Sequence, residues 1–246
     1  MGEDRLYGDP ALVAFYDVEN TDRTDFECCR RLAVGRRSVL DLGCGTGELA
    51  ASLSSGWEVW GADPAAAMLD VARWRSGGDA VTWVEGDARS VRLGRRFELV
   101  VLTGHAFQVF LTEPDRRAVL ETIAVHLAPG GLFVFDTRNP AVKKWREWTP
   151  EPSRRVVDHP LHGRVEAWND VEHDQSTGVA TYWTYYRLAG GDVLSAESRI
   201  AFPARDELER EILAAGLAVE RWMGDWNGGA WRPDAPEIIP IGALAE

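Results

Sequence analysis

Residues 39–47 read VLDLGCGTG, an apolar run that passes into three glycines at alternate positions. The apolar residues predict a short buried strand over 38–42, and the residues after the glycines predict a helix over 48–55. Glycine is needed in such a turn because the backbone must bend sharply and because a ligand can lie against it only where no Cβ intervenes. The stretch therefore predicts a strand, a ligand-binding turn and a helix.

Two acidic residues accompany this turn. Asp41 precedes the glycines, and Asp63 ends the next predicted strand, 22 positions later. In Rossmann-like nucleotide folds an acid at this spacing accepts hydrogen bonds from ribose hydroxyls. A dinucleotide-binding turn reads G-x-G-x-x-G and holds a pyrophosphate at the helix N-terminus. Here the spacing is G-x-G-x-G, and Asp41 would repel a pyrophosphate while attracting a ligand with ammonium and sulfonium charges, which disfavours NAD.

Strands and helices alternate downstream of this turn. The run FELVVLT at 97–103 is typical of a strand buried on both faces of a parallel sheet. The predicted strands are 38–42, 58–62, 81–85, 97–103 and 132–136, and the predicted helices between them are 48–55, 64–75 and 112–127, the last stopped by Pro129-Gly130-Gly131. This alternation indicates βαβ units with right-handed crossovers and an α/β, doubly wound Rossmann-like sheet.

The pattern changes after Asn139-Pro140, where strand-like alternation continues without helices. The predicted antiparallel strands are 154–158, 164–172, 179–188 and 193–202, with hairpin turns at 176–178 and 190–192. A helix over 205–215 and strands near 217–222 and 237–241 follow. We expect a Rossmann-like domain of residues 35–153 and 203–246. Residues 154–202 would be an antiparallel β insertion after the fifth strand that serves as a lid or substrate subdomain. Residues 1–34 would form a helical cap, with short helices after Asp9-Pro10 and over about 22–34.

VLDLGCGTG resembles motif I of the class I (Rossmann-like) S-adenosylmethionine-dependent methyltransferases. Three later segments resemble further motifs of the family and follow in the family's order. They are GADP at 61–64 with Met68-Leu69 after the second strand, EGDA at 85–88 after the third strand, and HLAPGG at 126–131 before the fifth strand. The resemblance covers about residues 36–136. It implies S-adenosyl-L-methionine as the cofactor, and it leaves the methyl acceptor unnamed.

The resemblance also implies roles for individual residues. Asp41 would face the amino end of the cofactor and Asp63 would hold its ribose, while Pro64 and Met68 would flank the adenine. The glycines of the turn would shape the methionine pocket, and residues after the third and fourth strands would meet the adenine edge and close the site. The full predicted set of cofactor-binding residues is Tyr16, Asp41, Gly43, Cys44, Gly45, Thr46, Gly47, Asp63, Pro64, Met68, Gly86, Asp87, Ala88, Thr103 and Gly104.

His105 is the predicted catalytic residue. Methyl transfer is an in-line displacement, so the protein must align the acceptor within about 3–3.5 Å and take up a proton where the nucleophile carries one. His105 follows the fourth strand, at the edge where ligands bind in such sheets, and its unperturbed pKa is near neutrality. The alternative is a histidine bonded to a loop carbonyl. Gln108, Arg138 and Asn139 are predicted acceptor contacts, with an ordinary Asn-Pro turn as the alternative for Asn139.

Several features favour a small-molecule acceptor. The tip of the fourth strand reads TGHA at 103–106, which does not resemble the N/D-P-P-Y of nucleobase and glutamine methyltransferases. The formal net charge of −12 argues against a nucleic-acid partner. The insertion resembles the lids of small-molecule N- and O-methyltransferases, including those for glycine and amino sugars. We therefore predict transfer of a methyl group to a nitrogen or oxygen of a small molecule.

Other predictions concern partners and alternatives. The aromatic residues after position 140 either line the acceptor pocket or pack the insertion on the sheet or on a second subunit, which leaves a homodimer open. His159, His162 and His173 match no standard ligand spacing, so no metal is expected. Three unpaired cysteines and the lack of an 18-residue apolar run predict a cytoplasmic protein without membrane contact. The alternatives are a non-catalytic S-adenosylmethionine-binding module and a nicotinamide-dependent oxidoreductase.

Overall fold

The computed structural model describes residues 4–245; residues 1–3 of the predicted cap and residue 246 of the predicted Rossmann-like domain lie outside the described range. The helices are α1 (Arg5–Gly8), α2 (Pro10–Val13), α3 (Tyr16–Glu19), α4 (Thr24–Ala33), α5 (Glu48–Leu53), α6 (Ala66–Trp74), α7 (Glu113–His126) and α8 (Arg205–Ala214). The strands are β1 (Ser38–Leu42), β2 (Glu58–Asp63), β3 (Thr82–Glu85), β4 (Phe97–Leu102), β5 (Leu127–Phe135), β6 (Thr137–Arg138), β7 (Arg155–His159), β8 (Gly163–Asp174), β9 (Val179–Arg187), β10 (Val193–Ala201), β11 (Leu217–Met223) and β12 (Glu237–Leu244). None of the helices within 4–245 is long and apolar enough to cross a membrane.

The central sheet has the order β3-β2-β1-β4-β5-β12-β11. The first five strands in that order are parallel, and β12 runs antiparallel to both β5 and β11. Alternate residues of β1 and β4 enter two separate cores, one with α7 and α8 and the other with α4 and α5. Helices therefore cover both faces of the sheet, which confirms the predicted α/β doubly wound fold.

A second sheet lies between β6 and α8 in the chain. Its order is β10-β9-β8-β7, every neighbour is antiparallel, and it spans residues 155–201. This separate sheet after the fifth strand agrees with the predicted fold class. Its buried face packs on the N-terminal helices, where Phe15 stacks on Tyr186 with ring centroids 4.0 Å apart. The N-terminal helices and the insertion thus share one hydrophobic core.

Two local predictions differ from the structure. The expected helix after Asp9-Pro10 is interrupted: α2 ends at Val13 and a second four-residue helix, α3, begins at Tyr16, with the fully buried Phe15 packed on Tyr186 between them. The fifth strand begins earlier than the predicted 132: α7 ends at His126, one residue before its predicted end, and β5 begins at Leu127, with Pro129, Gly130 and Gly131 inside the strand. Leu127 is fully buried and pairs with Phe97, and this burial outweighs the preference of proline and glycine for turns.

Candidate active site

The glycine turn between β1 and α5 lies at the carboxyl edge of the sheet. Gly43, Gly45 and Gly47 have φ angles of 75°, 52° and 72°. A Cβ on Gly47 would lie 2.3 Å from the ring of Trp83, so its lack of a side chain is required for packing. A Cβ on Gly45 would instead point towards the hydroxyl of Tyr16, 3.7 Å away. Tyr16 therefore packs next to the turn at Gly45, and a ligand lying on the turn there would contact this tyrosine.

Asp63 ends β2 beside this turn and joins two loops. Its Oδ2 accepts a hydrogen bond from the Gly45 N–H and its Oδ1 accepts one from the Ala65 N–H, each at 2.9 Å. Burial raises the pKa of this carboxyl, and the two backbone donors oppose that rise. Because a carboxylate offers about four lone-pair positions, Asp63 can also accept hydrogen bonds from two ribose hydroxyls.

Asp41 lies beneath the turn with 2% of its surface exposed. Burial, and secondly the charge of Asp63, raise its pKa from 3.8 to about 7, while the backbone N–H of Ala50 opposes the shift. A cation placed nearby favours the ionised carboxylate and lowers such a pKa again. The electrostatics beneath the turn therefore suit a positively charged ligand.

The N-terminal helices hold the turn from above. Asp17 of α3 accepts a hydrogen bond from the Thr46 hydroxyl at 2.6 Å and forms an ion pair with Arg75. The Nε of Arg75 donates to the Thr46 carbonyl at 3.0 Å. Burial and neighbouring carboxylates raise the pKa of Tyr16, which keeps its hydroxyl protonated. Tyr16 and Thr46, both predicted cofactor contacts, therefore lie where the helical cap meets the turn.

The predicted adenine contacts lie on both sides of the β2–α6 loop. Pro64 is exposed, whereas Met68 is buried against Val13 of α2. An adenine ring could reach Met68 only if the cap moved. Cys44 is half-buried and donates its backbone N–H to the Ala62 carbonyl at 3.1 Å.

The segment after β3 completes this side of the edge. The Gly86 N–H donates to the Asp63 carbonyl at 3.0 Å, which joins the ends of β2 and β3. Ala88 is buried in the core. Asp87 accepts hydrogen bonds from the guanidinium of Arg89, which lowers the pKa of Asp87. If Asp87 contacts the adenine edge, its carboxylate would therefore accept hydrogen bonds from both the adenine and Arg89.

The chain turns sharply after β4. Thr103 and Gly104 lead to His105, which has a φ of 62°, and the N–H of His105 donates to Asp136 Oδ1 at 3.0 Å. A Cβ on Gly104 would lie 3.9 Å from the Tyr16 hydroxyl. The fourth-strand tip therefore faces the same tyrosine as the glycine turn does.

Three titratable side chains meet next to this tip, and we call His105, Asp136 and Glu237 the acidic cluster. His105 follows β4, Asp136 follows β5, and Glu237 begins β12. The His105 Nε2 lies 3.1 Å from Glu237 Oε2 and 3.4 Å from Asp136 Oδ2. The side chains of His105, Asp136 and Glu237 are 23%, 1% and 20% exposed. Their donor atoms lie within 4.8 Å of one another, close enough to share one cation.

Burial governs the protonation of this cluster. It raises the pKa of Glu237 from 4.5 to about 7, and it also raises the pKa of Asp136. It lowers the pKa of His105 from 6.5 to about 4, although the Asp136 carboxylate attracts the proton. The pKa of this imidazole therefore lies well below its unperturbed, near-neutral value. Glu237 titrates near neutrality, and because it contacts His105 directly, the two side chains titrate as one coupled pair.

Sequence reasoning did not select two of these three residues. Asp136 ends the fifth strand much as Asp63 ends the second, so its position was a usable signal. Glu237 had none, because it lies 132 positions from His105 and opens an antiparallel strand. Asp136 Oδ2 has no hydrogen-bond partner within residues 4–245. A buried carboxylate oxygen without a donor marks the place where a cation or a donor from a ligand would be stabilised.

Arg138 lies directly opposite Glu237 in the pairing of β6 with β12. Its Nη1 donates to Gln108 Oε1 at 3.0 Å, and its guanidinium carbon lies 5.2 Å from the centre of the Trp148 ring. Gln108 is fully buried and donates its Nε2 to the Ala201 carbonyl of β10 at 2.7 Å. Both residues are predicted acceptor contacts. Gln108 holds Arg138 and the insertion in place, whereas Arg138 has further guanidinium N–H groups that could bind a ligand.

Asn139, the third predicted acceptor contact, is buried and fully bonded within its loop. Its Nδ2 donates to the carbonyls of Pro233 and Ala235 at 3.0 and 2.7 Å. Its Oδ1 accepts a hydrogen bond from the Ala141 N–H at 3.0 Å. This arrangement favours the alternative of a structural Asn-Pro turn, and we leave Asn139 out of the proposed site.

The aromatic and histidine residues of the insertion divide between the site and the core. The ring of Tyr182 lies 5.4 Å from that of Trp148, which places Tyr182 beside Arg138. His173 stacks on Trp145, with centroids 4.2 Å apart, and His159 Nε2 lies 3.1 Å from the Ala14 carbonyl. Together with His162, which stacks on His159, these histidines pack the insertion and do not join one ligand group. The prediction that no metal binds is untested at the acidic cluster.

Two surface cavities lie elsewhere. One of about 380 Å³ lies between α4 and β11, and one of about 610 Å³ lies between α2 and α6. Neither is lined by the glycine turn or by the acidic cluster.

Comparison with known proteins places this arrangement in context. Residues 39–131 match the family described as "Methyltransferase domain". The chain is 34% identical over 209 residues to the dTDP-3-amino-3,6-dideoxy-alpha-D-glucopyranose N,N-dimethyltransferase of Streptomyces fradiae, covering 81% of this chain and 77% of that one. It is 35% identical over 207 residues to the cypemycin N-terminal methyltransferase of a Streptomyces species, covering 83% and 82%. The S-adenosylmethionine-bound amino pentose methyltransferase CalS10 of Micromonospora echinaspora superposes with a TM-score of 0.73 at 22% identity, over 94% and 96% of the two chains.

Proposed function

This chain belongs to the class I S-adenosylmethionine-dependent methyltransferases, and on that premise we propose that it methylates an amino nitrogen of a small molecule held at the acidic cluster. The family membership establishes the enzyme class and the cofactor. It favours methyl transfer over a silent binding module and over nicotinamide chemistry. The choice of nitrogen rests on the charge of the site and is supported by relatives named as an amino-sugar N,N-dimethyltransferase and an N-terminal methyltransferase.

The observation that carries the proposal is the convergence of two carboxylates and an imidazole at the end of β4. A buried group of acids is costly unless a cation or protons compensate it. An amine reaches the enzyme mainly as an ammonium ion, which supplies that charge and donates to the unpartnered Asp136 Oδ2. An alcohol acceptor would bring no charge. The acidic cluster therefore fits an amine better than a hydroxyl.

The residues around the glycine turn fit the cofactor. Asp63 retains acceptor positions for ribose hydroxyls, and an ammonium placed near the buried Asp41 would favour its ionised form. S-adenosylmethionine, when bound, supplies a methyl carbon activated by a sulfonium, and the acceptor nitrogen forms its new bond to that carbon as the carbon–sulfur bond breaks.

Glu237 is the proton acceptor we propose. The amine must lose a proton before its lone pair can attack, and Glu237 has its pKa raised to about 7, near the pH at which a base works best. The His105 imidazole, with a pKa lowered to about 4, stays neutral and orients the Glu237 carboxylate through their 3.1 Å contact. Asp136 holds the His105 backbone in turn. The role predicted for His105 thus becomes positioning, with Glu237 as the base.

The cap and the insertion complete the proposed active site. Gln108 joins β10 to the acceptor side, and the Arg155–Glu19 ion pair joins β7 to α3. We propose that residues 154–202 act as a lid over the acceptor, with the 1–34 segment as a cap over the cofactor. The homodimer and the cytoplasmic location stay predictions.

The proposal is tested by incubating the purified protein with S-adenosylmethionine and a panel of amines, alcohols and phenols while S-adenosylhomocysteine is quantified. We expect turnover with amines alone, and nuclear magnetic resonance of the product should show an N-methyl group. An O-methyl product would refute the proposal. Loss of activity on treatment with a metal chelator, restored by a divalent ion, would show that the acidic cluster holds a metal ion in place of the ammonium.

A further inference from the structure

Two opposite charges face the proposed acceptor site without pairing. Arg138 and Glu237 are direct partners in the β6–β12 ladder, so their side chains leave the same face of the sheet. Opposite charges in such positions usually stabilise each other by direct contact. Here Glu237 contacts His105 instead, and Arg138 contacts Gln108 and Trp148. The structure therefore keeps a cation and an anion apart beside the same space.

Arg138 is held rigidly and has donors to spare. A guanidinium carries five N–H groups in a planar fork, and one nitrogen is engaged by the Gln108 amide oxygen. Trp148 supports the planar group from one face. Within residues 4–245 no carboxylate forms an ion pair with it. A half-buried, preoriented fork with unused donors is suited to binding a carboxylate through two hydrogen bonds.

We propose that the acceptor is an amino acid or a close aminocarboxylate, whose ammonium occupies the acidic cluster and whose carboxylate is bound by Arg138. This inference rests on the proposed N-methylation and adds the class of substrate. Direct partners on an antiparallel ladder have Cβ atoms about 4.5–5.5 Å apart, so the two charged side chains start from neighbouring positions and can bind groups that lie a few ångströms from each other. An α-amino acid has that separation, whereas in a nucleotide-linked amino sugar the ring stands between the amine and the diphosphate. Tyr182 and Trp148 then border the position of the amino acid side chain.

The experiment compares matched acceptors and variants by initial rate of S-adenosylhomocysteine formation. The acceptors are an amino acid series, the corresponding amino acid amides, the amines that lack the carboxylate, and a thymidine diphosphate amino sugar. We expect wild-type kcat/KM to be about 10- to 100-fold higher for the best amino acid than for its amide or amine, the range of one charge-assisted interaction. Arg138→Met should remove that preference by lowering kcat/KM for the amino acid to the level of its amide.

Two controls separate binding from folding. Arg146→Met removes an exposed neighbouring arginine and should change neither preference nor rate. Arg138→Lys retains the charge without the fork and should keep only part of the preference. If Arg138→Met does not fold, the wild-type acceptor comparison and Arg138→Lys still decide the question.

The possible failures are distinguishable. Methylation of amines without a carboxylate preference, equal losses for both acceptor classes in Arg138→Met, or a preference for the nucleotide amino sugar would each overturn the amino acid assignment and leave N-methylation intact. An O-methyl product, or no turnover with any amine, would instead overturn the proposed function itself.

Discussion

Replacing Glu237 with glutamine should stabilise the protein and impair the enzyme. Burial raises the pKa of this carboxyl from 4.5 to about 7, which corresponds to a cost of about 3 kcal/mol for the ionised form, since one pKa unit is about 1.4 kcal/mol. Below pH 4.5 the carboxyl is protonated in both folded and unfolded chains, and the cost is absent. As the pH rises towards 7 only the unfolded chain ionises readily, so the free energy of unfolding falls, and above 7 the whole cost is present.

Glutamine cannot ionise, so Glu237→Gln avoids this cost. At pH 8, without ligands, it should raise the free energy of unfolding by about 3 kcal/mol, or the melting temperature by about 6–12 °C, and at pH 4 it should match wild type. Its kcat should fall by about 10²- to 10⁴-fold, because the proposed base is gone. Glu121→Gln, at an exposed position, is the control and should change neither quantity.

Calorimetric melting at the two pH values and the pH–rate profile together test this reasoning. Wild-type kcat/KM should rise with pH through about 7, and the variant should lack that limb. A variant no more stable than wild type at pH 8 would show that Glu237 is not a destabilised carboxylate. Turnover within threefold of wild type would place the base elsewhere.

The other predictions concern the cofactor turn and the core. In isothermal calorimetry S-adenosylmethionine should bind about tenfold more weakly at pH 6 than at pH 8, because the Asp41 carboxyl, with its pKa of about 7, attracts the cation only when it is ionised. The variant Asp41→Asn should bind weakly at both pH values. A pH-independent wild-type affinity would contradict this placement of Asp41. Glu211→Ala should lower the free energy of unfolding by about 3–5 kcal/mol in urea, because Arg116 and Glu211 form a buried bidentate pair at 2.9 and 2.5 Å between α7 and α8. The double replacement Arg116→Met with Glu211→Leu should stay within about 1 kcal/mol of wild type, and an equal loss in both variants would show that the side-chain volume matters more than the charge.

Most of the fold followed from periodicity along the chain. Strands β1, β2 and β4, helix α7, and the hairpins of the insertion lie within a few residues of the predicted bounds. The errors occurred where packing outweighs local preference, as at Pro129 inside β5. Local signals assume that proline and glycine end an element, and the burial of Leu127 against β4 overrules that assumption here.

The sequence alone was enough to determine the family, the cofactor and the class of fold, because the glycine turn, Asp63 and the alternation of elements act through residues that are neighbours in the chain. Only the tertiary structure decided which groups face the acceptor. Glu237 reaches His105 from 132 positions away through an antiparallel strand, and Gln108 and Asn139 turned out to be committed to bonds with distant carbonyls. The ionisation of the acidic cluster was likewise beyond sequence reasoning, since a pKa shift depends on how completely the folded chain removes a group from water.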